Sequence, residues 1–350
     1  MRNAIGTLDT SSASNPLLDV WLQMPMAAND PRPIFGVPAT LTFRILTEQS
    51  DGQLVQVFSG TTDLTADQIL NPATGLAQPG HYAAAFAVSA FTGVVTPGQR
   101  CQIEWAWTLD NGMSGVQVTE FDVLQSVPPQ LGEGGYCLVS DMRQEGITQQ
   151  RCDDRRLLRL IGLASRYLER ATGSFFEPRF MSEVVHQPRG RRPIGLRSPV
   201  IVLSGIDVGD PTLSSIPPEG YRVIDPQGDP RIEFIHGPFG EVGEWLGGGD
   251  WISGRNAHHR ELTVHGLFGR LERGACPELI RHATKLIVVR EMAKMGSDDR
   301  EDRKRNRLVA EGTRDQRYQL QPEAEGAFTG DKEIDDIILM FQRPIGVRAV

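Results

Sequence analysis

Lysine is scarce in this 350-residue chain: the first is Lys285, and only Lys294, Lys304 and Lys332 follow. Arginine carries the rest of the positive charge, which suits planar, multi-donor contacts with protein better than a field of mobile point charges. Cysteine is thin as well. Cys101, Cys137, Cys152 and Cys276 stand singly, with no C-x-x-C pair, which excludes a disulfide scaffold and leaves buried thiols as the expectation. No apolar run is long enough to cross a bilayer, and MRNAIGTLDTSSAS has no hydrophobic signal core, so a soluble product made in a cytoplasm is expected.

Catalytic grammar is missing too. Gly112-Met113-Ser114-Gly115 lacks the G-x-S-x-G spacing and falls in an expected hairpin turn. Gly240, Gly243, Gly247, Gly248 and Gly249 are not followed by Gly-Lys-Ser/Thr, so they read as a loop tip flanked by Trp245 and Trp251. His259 and His265 share a strand face but lie too far apart to hold a metal without another element, and His258 adds nothing to them. Glu241, Glu244 and Asp250 read as solvated loop acids. No enzyme, cofactor or metal is expected. The one hydrolase reading available would use the region from Glu241 to His265, with His259 as its test residue.

What the chain does have is an ordinary globular composition, 39% hydrophobic and 23% charged, at a length that suits two domains better than one. Its net charge of −8 is concentrated in residues 1–135, where Arg2, Arg32, Arg44 and Arg100 face twelve acids, while the remainder balances. That acidic half would repel nucleic acid.

The two halves differ in period. In the first, Leu41, Phe43 and Ile45 share one strand face, as do Cys101, Ile103, Trp105 and Trp107. LLDVWLQ, QLVQVF, HYAAAFAV and VQVTEFDV supply further strands. In the last, Val116 and Val118 are out of phase with Phe121 and Val123, which predicts a bulge. Turn signals at Asp51-Gly52, Pro79-Gly80, Pro97-Gly98 and Asn111-Gly112 complete the pattern of an all-β sandwich over 1–127. Pro128-Pro129 and the glycines after them mark a linker over 128–135.

From residue 136 the period becomes helical. Ser140 is the expected cap of a short helix ended by Gly146. Asp153-Asp154 open a longer one with Leu157, Leu160, Ile161, Ala164, Tyr167, Leu168 and Ala171 in a stripe, closed by Gly173. RFMSEVVHQ, PVIVLSGIDVG, YRVIDP, RIEFIHG and RELTVHG read as strands. Pro277 starts a helix whose Leu279, Ile280, Ala283, Leu286, Ile287, Val289 and Met292 form a surface broad enough to need partners on two sides, and Gly296 sits at its expected end. A charge-dense stretch from Asp298 to Arg307 follows, then a helix DKEIDDIILMF capped by Asp331. The second half is therefore α+β, mainly helical, with a β excursion.

PGHYAAAFAVSAFTGVVTPGQRCQIEWAWT resembles the immunoglobulin-like modules of virion and bacterial surface proteins, without their paired inter-sheet cysteines. YCLVSDMRQEGIT, DDRRLLRLIGLASRYLERATGSFF, LRSPVIVLSGIDVGD, ELTVHGLFGRLERGACPELIRHATKLIVVREM and TGDKEIDDIILMFQRPIG, taken in order, resemble the head-tail connector (adaptor) proteins of tailed bacteriophages over residues 136–350. The resemblance implies a structural virion protein, made in the host cytoplasm and bound to no membrane. It would form a dodecameric ring between portal and tail, extend the DNA channel and offer a tail docking face. It further implies that Phe341, Arg343, Pro344, Ile345 and Val347 contact the portal. Arg303, Arg305 and Arg307 would form an arm to the neighbouring subunit. Trp245 and Trp251 would face the channel or the tail, and packaged DNA would be touched only passively. The resemblance does not extend to residues 1–135, whose acidity and separate linker would place the sandwich outside the ring. A different reading makes the sandwich a glycan- or surface-binding module that uses Trp105 or Trp107 if they face outward.

Overall fold

The computed structural model describes residues 4–6, 18–22, 24–27, 30–34, 38–48, 52–70, 77–84, 86, 88–91, 93–125, 127, 135–186, 194–208, 215–216, 220–234, 261–272, 275–296, 310–312, 317–319, 329 and 331–342. Among the described residues, the regular structure of the first half is strand apart from one 3-10 turn, Val88–Phe91. In chain order the strands are β1 Ala4–Gly6, β2 Asp19–Trp21, β3 Met24–Ala27, β4 Asp30–Ile34, β5 Thr40–Glu48, β6 Leu54–Thr61, β7 Gln68–Leu70, β8 Ala77–Ala83, β9 Gln99–Thr108 and β10 Ser114–Leu124. They form a five-stranded sheet ordered β1-β10-β9-β5-β6 and a three-stranded sheet ordered β2-β8-β7, while β3 and β4 pair with each other.

The alternation in β5 and β9 dictates which face is buried. Leu41, Phe43, Ile45, Ile103, Trp105 and Trp107 turn inward against Val20, Tyr82, Phe86 and Phe91, so both sheets share one core. Its aromatic rings interlock, with Phe91 edge-on to both Phe86 and Phe121.

The expected bulge in β10 is absent. The strand pairs with β9 in unbroken register from Ser114↔Thr108 to Val123↔Gln99. The phase change has another cause: Val116 and Val118 point to solvent at 64% and 51% exposure, whereas Asp122 and Leu124, on the same outward face, are covered. Leu124 packs with Ala4, Val127, Val139, Met142, Val288 and Met292, so the covering layer is the second half of the chain.

That second half contains α1 Val139–Gln144, α2 Asp154–Thr172, β11 Arg179–His186, β12 Ile194–Gly195, β13 Val200–Val208, β14 Ser215–Ile216, β15 Tyr221–Ile224, β16 Arg231–Phe234, β17 Glu261–Phe268, α3 Glu278–Gly296, β18 Ala310–Gly312, β19 Arg317–Gln319 and α4 Lys332–Phe341. One sheet is ordered β11-β17-β13-β14, a second β12-β16-β15, and β18 pairs with β19. Gly266 lies where β17 crosses the irregular part of β13. A Cβ there would meet the Val202 carbonyl oxygen at 2.4 Å, so only glycine fits.

Local chemistry explains the helix ends. The Asp153 side chain accepts from Arg156 N at 2.9 Å, and Gly173, at φ 68°, closes α2 by donating to Glu169 O. Asp331 caps α4 by accepting from Glu333 N and Ile334 N. At α1 the expectation fails: the N-cap is Leu138, and Asp141 in the first turn reaches back to accept from Leu138 N at 2.9 Å. Ser140 lies inside the helix, where its N–H, a first-turn donor with no intrahelical partner, donates to the Asp122 carboxylate and its Oγ accepts from Arg100.

The breadth of α3 is satisfied largely within one copy. Ile280 and Ala283 pack with Leu168, Phe176, Ile334, Ile337 and Ile338 of α2 and α4 and the turn between them and the sheet. Val288 and Met292 pack against the α1 and α2 side. Leu279 and Val289 remain partly exposed.

Candidate functional site

Two groups of contacts stand out: those at the end of α4 and those at the junction between the sandwich and the helices.

At the first, Phe341 is half-buried and not a free contact. Its ring meets Phe176 edge-on at 5.5 Å, and Phe176 meets Tyr136 in the same way at 5.6 Å. The Arg270 guanidinium lies 4.8 Å from the Phe341 ring centroid, and its Nη1 donates to Phe341 O at 3.1 Å. One arginine thus grips both the ring and the last helical carbonyl. Behind it the Tyr136 hydroxyl donates to Glu169 Oε1 at 2.6 Å and accepts from Phe176 N at 3.1 Å. Glu169 in turn accepts from Arg179 Nη1 at 3.2 Å. Burial pushes the Tyr136 phenol well above its ordinary range, and the Glu169 and Glu177 carboxylates add to the effect. The departure point of the C-terminal segment is therefore tied to α2 and to the sheet.

At the second, charge and apolar surface are combined. Arg100 of β9 is paired with Asp141 of α1 and donates to Ser140 Oγ at 3.2 Å. Arg281 of α3 reaches Glu120 at 3.4 Å, and Lys285 reaches Glu145 at 3.0 Å. Between them Asp122 is fully buried, with Oδ2 accepting from Ser140 N at 3.0 Å and Oδ1 without a hydrogen-bond partner among the described residues. Burial raises its pKa to about 6, against the opposing pull of the Ser140 contacts and Arg100. The residues on either side of the proposed linker hence belong to one continuous core. Residues 128–134 themselves lie outside the described residues.

Arg343, Pro344, Ile345, Val347, Arg303, Arg305, Arg307, Trp245, Trp251, His258, His259, Glu241, Glu244 and Asp250 also lie outside the described residues. Trp105 and Trp107 are inside them and buried at 0% and 4% exposure. They face the sandwich core, so the glycan-binding reading loses the residues it named. Large apolar side chains that the chain leaves uncovered include Leu163 of α2 and Leu339 and Met340 of α4, at 56%, 57% and 64% exposure. All four cysteines are free, and burial raises the Cys101 thiol to about 11, so it is unreactive at neutral pH. No group of three or more His, Cys, Asp or Glu is placed to hold a metal among the described residues, and none of their helices is long and apolar enough to cross a membrane.

Sequence reasoning singled out His265 but missed its partners. Ser182 and Asp207 lie on the strands to either side, and no local motif marks them.

No family model matches the chain, and no curated protein does either. Among solved structures it is similar to a chain from "Neck of empty GTA particle computed with C6 symmetry", at 16% identity and a TM-score of 0.34, covering 59% of this chain and 89% of that one. A chain from "Neck of native GTA particle computed with C12 symmetry" gives 15% and 0.34, covering 59% and 88%. One from "Virion of native gene transfer agent (GTA) particle" gives 14% and 0.32, covering 54% and 77%. Likeness at this level fixes neither fold nor role.

Proposed function

We propose that this chain is a structural virion protein of the head-tail junction, assembling as a ring, with twelve copies matching the portal, that extends the DNA channel and gives the tail its docking face. The observation that carries the reading is the ordered set of motifs over residues 136–350, which fold here around a shared helical core with the end of α4 held in place. The three similar chains come from assemblies of the same kind.

In this reading the C-terminal segment from Phe341 onward, with Arg343, Pro344, Ile345 and Val347, inserts into the portal. Arg270 holds the ring and carbonyl of Phe341, the residue at which the segment begins. Arg303, Arg305 and Arg307 reach the neighbouring subunit, and Trp245 and Trp251 stand at the channel or tail face. The exposed Leu163, Leu339 and Met340 offer apolar surface for a head-to-tail contact, the kind that closes into a ring. The acidic sandwich sits outside, clear of DNA, and the salt bridges at its base hold it against the helices rather than on a free tether.

Electron microscopy of the purified chain, alone and with portal, tests the proposal. Annular particles, or rings formed on mixing with portal, are the expected result. A monomer indifferent to portal would overturn it. Deleting Arg343 to Val350 should abolish portal binding while leaving the subunit folded.

A further inference from the structure

The four-stranded sheet of the second half carries a group of side chains that ring assembly does not use. Ser182 of β11 stands opposite His265 of β17 in the strand register, and its Oγ lies 2.6 Å from His265 Nδ1. His265 Nε2 lies 2.9 Å from Asp207 Oδ2 on β13. These three neighbouring strands bring together residues 83 and 58 positions apart.

The register explains why the ring reaches both partners. His265 pairs with Gly205, immediately after a register shift in β13, and Asp207 stands two residues further along. An added Cβ at Gly205 would meet nothing within 4 Å, so the space opposite the imidazole is open and the ring can lean toward Asp207. Exposure falls along the series: Ser182 is exposed, the His265 side chain is 32% exposed and the Asp207 side chain 18%. A nucleophile at the surface, a half-covered base and a more covered carboxylate are the three parts of a serine relay.

We propose that Ser182, His265 and Asp207 form an activated nucleophile that takes an acyl group from carboxylic esters with good leaving groups. An Asp207 carboxylate can only accept, so it holds the imidazole proton on Nε2 and leaves the Nδ1 lone pair facing Ser182. Ser182 Oγ attacks the ester carbonyl carbon and its proton passes to His265 Nδ1. The leaving alkoxide departs with that proton as the alcohol, and water later releases the acid by the same route in reverse. Ser182 is the catalytic nucleophile, His265 the base, and Asp207 a positioning residue.

The test uses the full-length chain and a fluorophosphonate probe, in which Ser182 Oγ forms a P–O bond, the P–F bond breaks and fluoride leaves. Mass spectrometry of the intact protein and of its peptides reads the adduct. We expect one adduct, on Ser182. Ser182→Ala should abolish it. His265→Gln, which keeps a hydrogen-bonding side chain between the strands, should slow labelling about 100-fold or more. Asp207→Asn should slow it and Asp207→Glu should recover it in part, because the carboxylate holds the imidazole proton on Nε2. Melting curves establish that each variant is folded. No adduct on folded wild type, an adduct elsewhere, or an unchanged rate in folded His265→Gln would each overturn the proposal and leave the three residues as a cross-strand polar contact.

Discussion

The sandwich and the helical half solve the burial problem in different ways. The sandwich has one continuous core in which Trp105, Phe43, Phe86, Phe91 and Phe121 interlock, and the hydroxyls it buries at Thr47, Thr62 and Tyr82 have no hydrogen-bond partner among the described residues. The second half divides its apolar residues among several smaller clusters and threads buried polar groups between them, notably Tyr136 with Glu169 and Arg179. Dispersed cores depend on each neighbour being in place, and a single core tolerates independence. The junction joins the two regimes, because Leu124 and Asp122, still within the sandwich sheet, turn their side chains toward the helical side.

The largest effect should come from Trp105→Ala. The side chain is fully buried, with its ring 5.5 Å from that of Phe43, and truncating a packed tryptophan costs about 4 kcal/mol. Denaturant unfolding followed by tryptophan fluorescence should move to much lower denaturant, while the helical circular-dichroism transition moves less. Equal shifts in both signals would mean the two halves unfold as one unit, which would erase the contrast.

Next is Asp122→Asn, which tests the junction and should stabilise. The folded pKa of Asp122 is about 6, above its ordinary value of 3.8, so the fold prefers the protonated acid. The associated stability is fully present below about pH 4 and is lost as pH rises through about 6. Asparagine mimics the neutral form at every pH. A shift of about 2 units corresponds to about 3 kcal/mol, so the variant should melt higher than wild type at pH 8 and equally at pH 4. A variant less stable than wild type at pH 8 would show that the ionised carboxylate is what holds Ser140 N and Arg100.

Tyr136→Phe probes the polar threading and should cost about 2 kcal/mol, since it leaves the buried Phe176 N–H without the hydroxyl it donates to. Thermal melts would read this, and a loss below about 0.5 kcal/mol would show that the network contributes order rather than stability.

How far the sequence discloses this structure depends on the distance over which each cause acts. The ends of α2 were legible because Asp153 and Gly173 act within one helical turn. The strands of the sandwich were legible from alternation, but which face Trp105 and Trp107 present was not, since an alternating strand does not say which side its partner sheet occupies. The supposed bulge in β10 came from reading a change of neighbours as a change of backbone. Ser140 is not the cap for a related reason: its Oγ accepts from Arg100 and its N–H donates to Asp122, both on strands of the five-stranded sheet. Ser182 and Asp207 escaped notice because strand pairing brings them to His265 from 83 and 58 residues away, and neither the β11 register nor the shift in β13 leaves a trace in local spacing.

The smallest effect on folding, and the sharpest on the functional reading, should come from Leu339→Gln together with Met340→Gln. Both side chains are more than half exposed at the end of α4, while Ile334, Ile337 and Ile338 on the same helix carry its packing. Glutamine is a good helix former, so the subunit should keep its stability to within about 0.5 kcal/mol. Exposed apolar side chains beside a buried stripe have no folding role to lose, and if they serve a neighbour their removal should be seen only in assembly. Native mass spectrometry should therefore show the ring weakened while the melting temperature holds. Intact rings would place the subunit contact elsewhere, and a collapsed melting temperature would mean that the two residues pack within the chain after all.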